Sequence, residues 1–313
     1  MLLDSGLTSE RLKGILSPIP TPFNSRGDMI VDELKENLAH WNQYALTGYV
    51  VLGSNGESVH LDDEERTRIL QAAREAIPSD RLMIAGVSKP SARHTVHWCR
   101  EAAKLGADAA LVLPPGYYRA TMTRTCYIRF FKTIADSSPI PIILYNMPRC
   151  ASVDLADDII IELSRHANII GIKDSGGNVS KLAYVGAHAD EQFAVLAGSA
   201  GFLVPSLSIG AHGGILALAN IAPTQCLAMW RNSSEGNWAA ARSVQLRIVG
   251  ANTVVTREWG VPALKAAMDL IGLYGGPPRS PLRPLPASHY SVLRKALAEA
   301  GILDTEEREE VVH

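Results

Sequence analysis

An α/β fold of the TIM (β/α)8 barrel type with a C-terminal helical extension is predicted for this 313-residue chain by three features. Short, β-branched apolar runs recur, flanked by turn formers, and read as buried strands. Between them lie segments with apolar residues three and four apart and charges on the other face, the alternation of parallel βαβ units. After the eighth run the strands stop and helical patterns follow one another.

In order, strands are expected at 14–19, 48–52, 82–86, 109–113, 140–145, 169–173, 194–197 and 213–216. Eight parallel strands suggest closure into a barrel. Outer helices are expected at 32–44, 62–77, 92–105, 123–135 and 155–164, the second started by Asp62 with Glu65 three residues on as a capping-box variant. Helices at 226–230, 238–249, 261–270 and 289–300, with the proline-rich 275–286 before the last, make up the extension. The barrel is therefore assigned to residues 1–225 and the extension to 226–313, with no flexible Gly/Ser linker between them.

A hydrophobic content of 47% allows a large core, and 30 basic against 32 acidic residues leave a net charge of -2. Nothing in that balance draws the chain to nucleic acid or to an anionic membrane, so the expected partner is a small molecule. Cys99, Cys126, Cys150 and Cys226 form no CxxC pair and read as reduced thiols in a cytoplasmic setting. The first 16 residues have no long apolar region for secretion and little arginine for a transit peptide, and the apolar runs are too short to cross a bilayer.

The chemistry centres on Lys173, which closes the apolar run Ile169-Ile170-Gly171-Ile172 just before Asp174-Ser175-Gly176-Gly177. A strand end in such a barrel points to the mouth where active sites lie. A buried ammonium is costly unless paired, so Lys173 either salt-bridges a carboxylate such as Asp174 or serves as a desolvated amine that attacks a ketone to give a Schiff base. Tyr145 ends the preceding strand at the same level, where its hydroxyl could move protons beside the amine. Strand two runs into Gly53-Ser54-Asn55-Gly56-Glu57, whose hydroxyl, amide and backbone N–H groups suit a small carboxylate. Strand four runs into Pro114-Pro115-Gly116-Tyr117-Tyr118-Arg119.

Taken together, Ser17 to Phe23, Gly53-Ser54-Asn55-Gly56-Glu57, Tyr117-Tyr118, Tyr145-Asn146-Met147-Pro148, Gly171 to Ser175 and Ala197-Gly198-Ser199-Ala200-Gly201 resemble the dihydrodipicolinate synthase and N-acetylneuraminate lyase superfamily, the pyruvate-dependent class I aldolases. The resemblance implies that Lys173 forms the Schiff base, that Tyr145 shuttles the proton and that Tyr118 is exchanged between neighbouring subunits of a homotetramer to complete the relay. It also implies that Ser54, Asn55 and Gly56 bind the keto acid's carboxylate with help from Ser175. Gly198, Ser199 and Ile215 complete the expected substrate-binding set, and no metal or organic cofactor is implied.

Within that superfamily, Cys150 stands where the synthase has an arginine that grips the semialdehyde's carboxylate, with Arg149 one place early, and Ser54-Asn55 replace its paired threonines. The chain is more similar to the 4-hydroxy-2-oxoglutarate aldolases and the fungal 2-keto-3-deoxy-hexulosonate aldolases, as Lys173-Asp174-Ser175-Gly176-Gly177 and Tyr274-Gly275-Gly276-Pro277 also suggest. A retro-aldol lyase releasing pyruvate and an aldehyde is the expected activity. The alternatives are dihydrodipicolinate synthesis from pyruvate and aspartate semialdehyde, and a non-catalytic keto-acid-binding barrel. A metal-dependent aldolase finds only His94 and His97 on one helix without a third ligand. The glycines at 198, 201, 213 and 214 leave a phosphorylated substrate or pyridoxal phosphate conceivable.

Overall fold

The computed structural model describes residues 7–304, so the outer ends of the two expected domains, 1–6 and 305–313, lie outside them. Eight parallel strands close into a barrel in sequence order: β1 Gly14–Pro18, β2 Gly48–Val51, β3 Leu82–Gly86, β4 Ala109–Val112, β5 Ile142–Asn146, β6 Ile169–Asp174, β7 Ala194–Ala197 and β8 Gly213–Ile215. Each lies within two residues of its expected limits. The reason is physical: these runs are buried on both faces, so the apolar stretch and the strand coincide.

Alternate residues of the strands divide between two cores. Leu16, Val50, Ile84, Leu111, Ile143, Tyr145, Leu196 and Ile215 fill the barrel interior, while Ile15, Val51, Ala85, Val112, Leu144 and Val195 pack outward against the helices. The alternation breaks once. Ile142 pairs with Ile169 but Ile143 pairs with Gly171, so Ile170 is an extra residue in β6. Beyond this bulge Tyr145 lies opposite Lys173, and Lys173 opposite Leu196, which turns the lysine inward. Gly171 permits the close approach, because a Cβ there would sit 2.6 Å from the Ala194 carbonyl oxygen.

The outer helices are α1 Val31–Trp41, α2 Asp63–Ala76, α3 Ala92–Lys104, α4 Arg124–Ser137, the single turn α5 Pro148–Ala151, α6 Asp157–Ser164, α7 Val179–His188 and α8 Leu203–Ser208. The expected capping box is present, with the Asp62 side chain accepting from Glu65 N–H and the Glu65 side chain from Asp62 N–H. The sequence reading overlooked α7, a ten-residue helix that buries only Leu182 and Val185. It overlooked α8 as well, six residues interrupted by Pro205.

The extension consists of α9 Pro223–Ser234, α10 Trp238–Asn252, α11 Val261–Leu270 and α12 Tyr290–Glu299. A π-helical turn, Thr253–Glu258, continues α10 past its expected end at residue 249. Among the described residues, no helix is long and apolar enough to cross a membrane.

Candidate active site

The mouth is built from the ends of β2, β5, β6 and β7. Lys173 is 3% exposed, and its Nζ stands 4.3 Å from the centroid of the Tyr145 ring. No carboxylate lies within 4.0 Å of that nitrogen among the described residues, so the salt-bridge alternative has no partner there. Asp174, the obvious candidate, is engaged elsewhere. Its side chain accepts from Asn146 Nδ2 and from Gly176 N–H, both at 2.7 Å, and Lys181 stands 3.8 Å away.

The Tyr145 hydroxyl shares a 2.7 Å hydrogen bond with Ser54 Oγ, which joins strand five to the loop after strand two. That loop is a tight turn in which Gly56 N–H donates to the Gly53 carbonyl and Glu57 N–H to the Ser54 carbonyl. The N–H groups of Ser54 and Asn55 have no protein partner among the described residues, and neither does the Asn55 amide. Two adjacent backbone donors, a hydroxyl and an amide therefore share one turn, joined through Ser54 to Tyr145, a set suited to a carboxylate. At the start of α2 the capping box takes the Asp62 and Glu65 N–H groups.

Ser175 lies beyond β6, its N–H bonded to the Asn146 carbonyl at 2.8 Å and its hydroxyl 3.5 Å from the Gly198 carbonyl. At Gly198 a Cβ would fall 2.1 Å from Ser175 Oγ and 2.6 Å from the Asp174 carbonyl oxygen, so only glycine fits the present backbone. The Ser199 hydroxyl is tied to α10, accepting from Asn252 Nδ2 at 3.1 Å and from Gly201 N–H at 3.2 Å. Ile215 is fully buried in the barrel interior.

Tyr118 is not brought to Lys173. It is 73% exposed, stacked edge-on against Tyr117 at 4.9 Å, and its hydroxyl has no protein partner among the described residues. Gly56 closes the turn rather than facing the mouth with its N–H, and its carbonyl accepts from Thr21 Oγ1 at 2.7 Å.

Sequence reasoning missed three features. Asn146 Nδ2 bridges Asp154 and Asp174, each at 2.7 Å, and its carbonyl oxygen takes the Leu155 N–H, which locks the ends of β5 and β6. Burial raises the Asp154 carboxyl, but hydrogen bonds from Lys181 and Asn146 outweigh it and hold the group below the usual range. The signal was available, since Asn146 and Asp174 are polar residues ending neighbouring apolar strands. Second, Arg149 turns to the extension and donates to the carbonyls of Thr256 at 3.1 Å and Arg257 at 2.5 Å. At Cys150 the surroundings desolvate the thiol and push it up, against the pull of the Arg149 and Lys173 charges. Third, Glu57 is buried and ion-paired with Lys265 of α11.

A cavity of about 300 Å³ opens beside the mouth, bordered by Arg149, Asp154, Ser175 and Lys181. Another of about 330 Å³, bordered by Arg11, Thr47 and Arg81, lies at the opposite, N-terminal end of the strands, away from Lys173. Among the described residues, no group of three or more His, Cys, Asp or Glu is placed to hold a metal ion.

The family model for the dihydrodipicolinate synthetase family matches residues 11–300. The chain is 35% identical over 292 residues to a probable mitochondrial 4-hydroxy-2-oxoglutarate aldolase of Emericella nidulans, covering 92% of this chain and 94% of that one. It is 34% identical over 301 residues to an L-threo-3-deoxy-hexylosonate aldolase of Hypocrea jecorina, covering 92% and 95%. A 4-hydroxy-tetrahydrodipicolinate synthase of Methanosphaerula palustris is 33% identical over 289 residues, covering 91% and 98%. Among solved structures, the dihydrodipicolinate synthase of Acinetobacter baumannii complexed with pyruvate superimposes with a TM-score of 0.89 at 28% identity, covering 93% of this chain and 99% of that one.

Proposed function

The chain belongs to the dihydrodipicolinate synthetase family, and on that premise we propose that it is a class I aldolase cleaving a 4-hydroxy-2-oxo acid to pyruvate and an aldehyde. The observation that carries this reading is a buried lysine without a carboxylate partner, set over a tyrosine whose hydroxyl bonds the Ser54 loop. A non-catalytic binding barrel has no use for such a nucleophile.

In the proposed cycle Lys173 Nζ attacks the C2 ketone, and loss of water, with a proton supplied through Tyr145, leaves an iminium. Tyr145 then removes the proton from the C4 hydroxyl. The C3–C4 bond breaks, its electron pair moving into the iminium to give an enamine, and the aldehyde departs. Protonation at C3 and hydrolysis return the lysine and release pyruvate. The iminium is the electron sink for C3–C4 cleavage, so the cycle draws on no metal or organic cofactor. Ser54 and Asn55 hold the substrate carboxylate, with Ser175 adding to the grip. Gly198, Ser199 and Ile215 line the rest of the substrate's path.

The synthase reaction is the less favoured reading. It calls for a guanidinium where Cys150 stands, and Arg149 spends its donors on the carbonyls of Thr256 and Arg257. We further propose a homotetramer in which Tyr118, exposed in the single chain, reaches the site of a second copy. The cytoplasm is the proposed compartment, on the strength of four cysteines without disulfides, and cell fractionation decides between it and the mitochondrion in one relative's name.

Incubation with pyruvate and borohydride followed by peptide mapping tests the reading, and absence of an adduct on Lys173 would refute it. Pyruvate release over a panel of 4-hydroxy-2-oxo acids then selects the substrate. Cleavage of the five-carbon diacid alone identifies an oxoglutarate aldolase, and cleavage of six-carbon deoxy sugar acids a hexulosonate aldolase.

A further inference from the structure

We infer that the buried Glu57–Lys265 ion pair is a positioning device through which the C-terminal extension holds the Ser54-Asn55 loop in line with Tyr145. Glu57 is the last residue of the Gly53–Glu57 turn and adopts a left-handed backbone, φ 51°, which a side chain takes only under constraint. The constraint is visible. One carboxylate oxygen meets Lys265 Nζ at 2.8 Å and the other accepts the Arg279 N–H at 2.9 Å, with His60 Nδ1 at 3.3 Å.

Lys265 is fully buried and has little else to do. Its ammonium donates to the Pro277 carbonyl at 3.0 Å and lies 4.6 Å from the Phe23 ring, while the Arg279 guanidinium lies 4.4 Å from the same ring. Burial pulls this lysine below its ordinary range, with Glu57 opposing. An apolar residue would fill the space at less cost to folding, so the pair is best understood by what it holds. What it holds is the turn carrying Ser54 and Asn55, fastened on the other side by the Thr21 hydroxyl on the Gly56 carbonyl. Because Ser54 Oγ bonds the Tyr145 hydroxyl, a shift of the turn is felt at the proton shuttle.

The consequence for catalysis rests on the assignment of this loop to the keto acid's carboxylate, but the positioning does not. Two measurements on the full chain separate them. Amide hydrogen exchange at Gly56 and Glu57, the hydrogen-bonded N–H groups of the turn, should quicken about tenfold without substrate in Glu57→Gln and in Thr21→Val, the effect of weakening one hydrogen bond by RT ln 10. In borohydride trapping the same variants should need about tenfold more pyruvate for half-saturation while reaching the wild-type adduct yield, and KM should rise with kcat largely kept. Met229→Ala, a cavity in the core away from the loop, should lower Tm and leave both readouts unchanged. Wild-type exchange at Gly56 and Glu57 in a folded Glu57→Gln or Thr21→Val would overturn the inference. Thr21→Val decides alone should the ion-pair variant not fold. Absence of an adduct in the wild-type chain would sink the aldolase reading, and the exchange result would still decide the positioning.

Discussion

Tyr145→Phe removes a single oxygen from the centre of the proposed chemistry. The ring remains, so the Lys173 ammonium keeps its 4.3 Å contact with the aromatic face, and that face is worth about 0.5–2 kcal/mol to a desolvated cation. The 2.7 Å bond to Ser54 Oγ is lost, but Ser54 is only half-buried and water can replace it, so stability should fall by only about 1 kcal/mol. The rate should suffer far more. Loss of a positioned acid and base costs about 10²–10⁴-fold, or about 3–5 kcal/mol of barrier at 1.36 kcal/mol per decade. Pyruvate release followed by coupled reduction measures kcat, and borohydride trapping followed by mass spectrometry measures iminium formation. The expected result is a kcat lower by about two to four decades with the Lys173 adduct still obtained, and Tm within a few degrees of wild type. Wild-type turnover would remove Tyr145 from the mechanism, and loss of the adduct would show that its hydroxyl, not only its ring, is needed for the iminium to form.

Gly198→Ala places a methyl 2.1 Å from Ser175 Oγ and 2.6 Å from a carbonyl oxygen, so the backbone must yield. A Tm drop corresponding to about 1–3 kcal/mol, with a raised KM, is expected, and unchanged values in both would show that the β6 and β7 loops move freely. At acid pH the Glu65–Arg279 pair should be the one to watch. Two-pronged hydrogen bonding from Arg279 holds the Glu65 carboxyl below its usual range, so near that range the unfolded chain binds the extra proton. The pair's contribution is complete above the ordinary glutamate value of about 4.3 and is lost as pH falls through the lower, folded value. The Tm gap between wild type and Arg279→Met should therefore narrow on acidification, and a gap independent of pH would count against the pair.

Strand positions were legible because burial on both faces makes each apolar run coextensive with its strand, and Lys173 and Tyr145 stood out because a charge and a phenol end two of those runs. Helix α7 was harder to see: it is ten residues long and buries only Leu182 and Val185. Glu57 and Lys265 belong to segments 208 positions apart, and no local pattern announces a buried pair across such a distance. Arg149 is instructive in another way. It stands one place before the synthase's carboxylate-gripping arginine, and its side chain finds acceptors in the carbonyls of Thr256 and Arg257, at a π-helical turn beyond the expected end of α10.

The extra residue in β6 carries a consequence for how this lysine can be gained or lost. In a strand, inward and outward facing is a matter of odd and even counting, and Ile170 changes the count by one. Were all the residues from Ile169 to Lys173 paired without the bulge, the lysine would share its row with Asn146 and project into the packing between sheet and helices, with Ile172 in its place at the mouth. Deleting Ile170 would remove the bulge and leave Lys173 opposite Tyr145, whereas forcing Ile170 into the ladder opposite Ile143 would turn the nucleophile outward with its chemistry intact. Facing, rather than identity, is the property on which the site depends, and a motif that preserves the letters but not the count would preserve nothing of the chemistry.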